Sequence, residues 1–172
     1  MIAAITESDN AAAESIWASL GEPATAARKV DDVLRRAGDP TNVQPQTIRP
    51  EFTAFGQTEW SLTNQVRFTS VAFCDNANKP IFSLMDRVEA VQRWGIGTVP
   101  GSRFKGGWGA SPTGAYRVRR IGILTTPNGM TAVALAAQPA SGTYDDGTAD
   151  LTQMAEWLAG YLTALPAGRC GP

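Results

Sequence analysis

A change of apolar period close to residue 100 limits this chain to folds that lay helices against an antiparallel sheet. Arg103 to Trp108, Tyr116 to Leu124 and Met130 to Ala137 are short runs bounded by glycine and proline clusters, and they read as three strands. Thr126-Pro127-Asn128-Gly129 joins the second to the third. There proline sets one φ angle, while asparagine and glycine tolerate left-handed backbone, so the two strands fold back on each other as a hairpin. Upstream the spacing is helical. Ala11 to Leu20 is alanine-rich, begins after the capping triplet Ser8-Asp9-Asn10 and stops at Gly21. Ala24, Ala27, Val30, Val33, Leu34 and Ala37 share a helical face between Pro23 and Gly38. A further helix is expected from Thr58 or Ser61 to Phe73, and a short one around Ile81 to Gln92. Between them Pro40, Pro45 and Pro50 mark a loop lying across the helical lobe. Downstream of the strands, Leu151, Met154, Ala155, Leu158, Tyr161, Leu162 and Leu165 form one apolar stripe, which predicts a C-terminal helix on the sheet.

The predicted class is therefore α+β in a single domain. A helical lobe spans residues 1–95, and the strands plus a C-terminal helix span 96–172. With 43% apolar and 18% charged residues the chain has the composition of a folded soluble protein. Fifteen basic and sixteen acidic side chains nearly cancel, which removes the field that nucleic acid or an anionic membrane would require. No apolar run approaches the roughly 18 residues of a membrane span, and the first residues lack the basic-then-apolar signature of a secretory leader.

Histidine is absent, so Ser-His-Asp and Cys-His chemistry and the common histidine-containing zinc sites are excluded. Neither a metal nor a cofactor is expected. Any general base must be Lys, Glu, Asp or Tyr, and the only lysines are Lys29, Lys79 and Lys105. Cys74 and Cys170 lie too far apart in sequence for a metal knuckle or a redox pair. They read either as a disulfide, which would imply an oxidising compartment, or as two unpaired thiols.

Two short motifs stand in order about a hundred residues apart: Ser8-Asp9-Asn10 entering a helix, and Lys105-Gly106-Gly107 on the first strand. With the strings FGQTEWSL from Phe55 and RWGIG from Arg93, they make the chain resemble the class A β-lactamase-like, penicillin-recognising serine hydrolases of actinobacterial type. The resemblance spans most of the chain and implies the later, C-terminal part of such a domain, an incomplete β-lactamase/transpeptidase-like fold. It also implies roles by position. Ser8 would help pass a proton to the leaving nitrogen, and Asn10 would hold the substrate's side-chain carbonyl. Lys105 would supply fixed positive charge, while Gly107 and the Trp108 amide would line the substrate site, the amide as half of an oxyanion hole.

The helix-borne Ser-x-x-Lys nucleophile of that superfamily has no counterpart here. Ser102-Arg103-Phe104-Lys105 matches it only as text, because glycine and proline on both sides favour loop and strand, where residues three apart point to opposite faces. Gly106 replaces the usual Ser or Thr of the second motif, so a hydroxyl donor is missing. The segment before Thr58 has no clear match to the family's water-activating glutamate, Glu51 being a weak candidate. The expected function is a portion of a serine hydrolase acting on amide or ester bonds of β-lactam or cell-wall peptide type, inactive for lack of its nucleophile. The other reading is a non-catalytic module that binds cell-envelope peptides or a protein. Expected partners are a small-molecule or peptide substrate in a cleft, a further copy of the chain, or an N-terminal complementing fragment. The parent protein is expected to be secreted or in the cell envelope.

Overall fold

The alternating runs pair as β1 (Arg103–Ala110), β2 (Tyr116–Thr126) and β3 (Gly129–Ala137), antiparallel and in the spatial order β1-β2-β3. The computed structural model describes residues 1–171. Pro127 and Asn128 close the β2–β3 hairpin, where the Asn128 N–H bonds Thr126 Oγ1 at 3.2 Å and Gly129 takes φ 141°. Because side chains alternate along a strand, the sheet divides its apolar residues between two faces. Phe104, Leu124 and Val133 pack with Val88, Ile96, Val99 and Ala155 on the side of α6 (Tyr144–Ala159). Ile123, Met130 and Ala132 face the other way, onto Ala72 of α4 (Leu62–Cys74) and onto Phe82 and Met85 of a short helix, α5 (Lys79–Met85).

The helical side begins with α1 (Ile2–Thr6), α2 (Asn10–Ser19) and α3 (Pro23–Arg36). Asp9 caps α2 by accepting the Ala12 N–H at 2.5 Å, and Ser61 caps α4 by accepting that of Asn64 at 3.2 Å. Helix α3 buries Ala26, Ala27 and Leu34, and Leu34 packs with Val43, Phe55 and Trp60 of the long loop between α3 and α4. That loop is anchored by the buried Asp39 carboxylate, which accepts the Trp60 indole N–H at 2.6 Å and the Thr41 N–H at 2.9 Å. Its other end crosses to the sheet, where Arg49 donates to the Ala110 carbonyl at 2.8 Å.

Three elements differ from the sequence reading. Helix α5 stops at Met85, well short of Gln92, because the Glu89 N–H leaves the helical path to bond the Thr6 carbonyl at 3.0 Å and the chain re-forms only a 3-10 turn at Ala90–Gln92. Helix α6 starts at Tyr144 under a Thr143 cap and ends at Gly160. Its stripe is split: Leu151 and Ala155 are buried and Leu158 packs on the core, whereas Met154, Trp157 and Tyr161 face solvent. Helix α1 gave no sequence signal, being five residues long.

Beyond α6 the chain returns to the sheet. Gly168 bridges Met130 at the start of β3, and Thr131 Oγ1 donates to the Pro166 carbonyl at 2.7 Å. Cys170 is bonded to Cys74 at the end of α4, with a Cα–Cα distance of 5.2 Å, so the disulfide reading holds. No helix among the described residues is long and apolar enough to cross a membrane.

Candidate functional site

Ser8 sits in the turn between α1 and α2 at φ 57°, alone among the described non-glycine residues in having a positive φ. The turn is held by the Asp9 cap and by the Asp9 N–H, which donates to the Ala3 carbonyl at 3.2 Å. This geometry turns Ser8 toward the sheet. There Lys105 Nζ donates to Ser8 Oγ at 2.5 Å, and Ser8 Oγ donates to Gln92 Oε1 at 2.6 Å. Gln92 is oriented by its own Nε2, which donates to the Glu7 carbonyl at 2.8 Å, and Lys105 also donates to the Gly106 carbonyl at 2.8 Å. One continuous chain of hydrogen bonds thus joins residues that are 97 apart in sequence across the boundary between helices and sheet.

Burial, and then the nearby Arg120 cation, lower the Lys105 pKa from its ordinary 10.5 to about 8. The folded chain therefore gives up this proton well before the unfolded chain does. Burial of the ammonium subtracts from stability below pH 8, and that loss is relieved as pH climbs toward 10.5.

Arg120 lies on the far side of the sheet from Lys105, fully buried, and is not the solvated strand residue that its neighbours Arg117 and Arg119 suggest. Its guanidinium lies 3.3 Å from the centroid of the Trp94 ring and 4.8 Å from that of Phe104, and it donates to the Trp94 and Gln92 carbonyls. Burial pushes its pKa down to about 9, so it remains a cation at neutral pH. Nη1 has no hydrogen-bond partner and occupies the space beneath Gly106, where a Cβ would overlap it. The glycine that breaks the second motif is thus matched to the arginine opposite it in the β1–β2 register. By contrast Arg117 bonds Gln138 Oε1, and Arg119 reaches the Trp60 carbonyl at 3.3 Å.

The other residues singled out in the sequence fall at different places. Gly107 shares Lys105's face of β1, and the space its Cβ would occupy is open for 4 Å. Asn10 is solvent-exposed at the first position of α2, two residues beyond Ser8. Trp108 turns its ring to the α6 side, with ring centroids 6.1 Å from Trp94 and 5.8 Å from Tyr144. Glu51 is exposed and paired with Arg49 at 3.1 Å. Ser102 is buried just before β1, and Lys105 reaches Ser8 rather than Ser102. Two residues of the network, Gln92 and Arg120, are not placed at the site by the sequence, in which Arg117, Arg119 and Arg120 read together as a solvated strand face. Arg120 carried a usable signal, since strand alternation puts it on the same face as Val118 and Leu124. Gln92 carried none.

No protein-family model matches the sequence, and no curated protein matches it significantly. Its architecture is that of the class A serine β-lactamases, present here as a portion of the fold. The TLA-1 extended-spectrum β-lactamase superposes with a TM-score of 0.74 at 17% identity over 94% of this chain and 62% of that one. A class A β-lactamase from Bacteroides cellulosilyticus gives 0.71 at 15% identity, covering 95% and 62% of the two chains. The chromosome-encoded β-lactamase of Vibrio parahaemolyticus gives 0.70 at 16% identity, covering 95% and 64%. The chain thus spans less than two thirds of the length of these structures, consistent with the C-terminal part of their fold.

Proposed function

We propose that this chain is the later part of a β-lactamase-like serine hydrolase acting on amide or ester bonds of β-lactam or cell-wall peptide type, holding the charged floor of the cleft without the attacking serine. The Lys105–Ser8–Gln92 chain of hydrogen bonds carries this reading. It links the two motifs on which the resemblance rests and leaves a cation beside a hydroxyl at the edge of the sheet. In this role Lys105 attracts a substrate carboxylate, Ser8 relays a proton to a leaving nitrogen, and Asn10, Gly107 and the Trp108 amide position the substrate. The two lobes, 1–95 and 96–172, supply the two walls. A disulfide fits a secreted or cell-envelope parent, because such bonds persist in oxidising compartments.

A fluorescent penicillin is expected to bind reversibly, with no covalent label, and Lys105→Ala is expected to weaken that binding about tenfold, the worth of one charge-assisted contact. A covalent burst with a chromogenic cephalosporin, or binding indifferent to Lys105→Ala, would overturn the proposal.

The surface of α6 supports a complementing segment or a second copy. Leu135, Gln153, Met154, Trp157 and Leu158 line an apolar groove, and Trp157 is 63% exposed. Beside it, the outer edge of β3 beyond Thr131 carries no strand among the described residues. Added in trans, an N-terminal segment bearing Ser-x-x-Lys is expected to produce cephalosporin turnover, and Trp157→Glu to abolish that gain and any self-association. A chain that binds cell-wall peptide yet stays inert with the added segment would be the non-catalytic module instead.

A further inference from the structure

The geometry points to a second chemistry that needs no missing segment: Ser8 is itself a nucleophile, with Lys105 as its base, toward small acyl or phosphonyl groups that carry a good anionic leaving group. Ser–Lys pairs serve as nucleophile and base on unrelated folds, and what they require is a hydroxyl within hydrogen-bond reach of an amine that can be neutral. Here the 2.5 Å Nζ–Oγ separation supplies that reach. The pair is preorganised from both sides: the positive φ of Ser8 fixes the backbone, and the Gln92 amide, held by the Glu7 carbonyl, fixes the hydroxyl. With Lys105 protonated, the ammonium donates to Ser8, whose hydroxyl in turn donates to Gln92 Oε1. Once Lys105 is neutral, its lone pair can take that proton.

Few groups oppose this. Ser8 and Gln92 face the amine from the helical side and are uncharged, while Arg120 presses on it through the sheet and favours the neutral form. No carboxylate among the described residues lies within ion-pair distance of Lys105. The amine thus loses its proton at about pH 8.

The step balances with a p-nitrophenyl ester. A bond forms from Ser8 Oγ to the acyl carbon, the Ser8 proton passes to Lys105 Nζ, and the bond to p-nitrophenolate breaks with the electron pair leaving on oxygen. A phenolate leaves without a proton. A β-lactam nitrogen does not, and Ser8 cannot attack and relay a proton to it at once. The inference therefore stands apart from the proposed hydrolase function, since penicillin is expected to leave Ser8 unlabelled. Once Lys105 sheds the proton it has taken, it can in turn activate water against the ester, so the adduct is read by acid quenching at early times.

The full oxidised chain treated with p-nitrophenyl acetate is expected to gain one acetyl group, mapped by mass spectrometry to Ser8 and removed by hydroxylamine as an ester. The initial rate should rise about tenfold per pH unit below pH 8 and level above it, following the neutral fraction of Lys105. Ser8→Gly, which suits the left-handed backbone and so keeps the turn, should abolish the adduct. Lys105→Arg keeps the charge but cannot act as a base, so it should cut the rate at least a hundredfold while the thermal unfolding of the chain shows that the variant stays folded. An unmodified folded chain, a hydroxylamine-stable adduct on Lys105, equal labelling of Ser8→Gly, or a rate without a break near pH 8 would each overturn the inference.

Discussion

Reducing the Cys74–Cys170 bond is expected to remove roughly 4 to 5 kcal/mol of stability and to lower the melting temperature by more than about 10 °C. The bond closes a loop with a sequence separation of 96, and the chain entropy released in the unfolded state on cutting so long a loop sets that magnitude. It also has a place in the site. Cys74 ends α4, whereas Cys170 lies on the tail bridged to Met130 at the start of β3, so the bond staples the helical side to the sheet. Ser8 belongs to one of these sides and Lys105 to the other. Thermal denaturation with and without reductant measures the stability change, and the double variant Cys74→Ala, Cys170→Ala separates it from any effect of the reductant. A shift under about 3 °C would mean that the tail contributes little to the fold.

Restoring the motif hydroxyl by Gly106→Thr is expected to cost about 3 kcal/mol rather than to improve the site. The new Cβ would overlap Arg120 Nη1 and stand 3.0 Å from its Cζ. A surface arginine would swing aside, but this one is fully buried, lies between Trp94 and Phe104, and is pinned by two backbone carbonyls. Displacing it breaks charge-assisted hydrogen bonds in a place that water does not reach. Arg120→Met alone should also destabilise, by leaving the Trp94 and Gln92 carbonyls without their donor, and it should raise the Lys105 pKa back toward 10.5 because a neighbouring cation is gone. In the Arg120→Met background Gly106→Thr should therefore cost less, with a coupling of at least 1 kcal/mol in a denaturant-measured double-mutant cycle. Additive effects would show that the glycine and the arginine are independent.

This pairing marks the limit of what could be read from the sequence. Gly106 was legible there only as a missing hydroxyl. What replaced it became visible once the register set Gly106 opposite Arg120 and strand alternation turned that arginine inward. The strands themselves were legible almost residue for residue, because proline and glycine punctuate them and the Pro-Asn-Gly turn has a local steric cause. Helices α2, α3 and α4 were legible for the same kind of reason, caps and periodic apolar faces being encoded within a few residues of where they act. Helix α5 ends earlier than its local pattern predicts, where a long-range hydrogen bond from Glu89 to Thr6 outweighs local preference. The apolar stripe of α6 was legible as a stripe, but not as two faces, one of which is left in solvent.

By itself, then, the sequence determined the order of helices and strands, the hairpin, the absence of histidine chemistry and the two short motifs, since each depends on near neighbours or on residue identity alone. The tertiary structure decided that Cys74 joins Cys170, that Gln92 stands behind Ser8, and that Arg120 lies buried beneath Lys105 and Gly106. Those outcomes depend on which distant segments the packed core brings within a few ångströms of each other, and no local pattern records that distance.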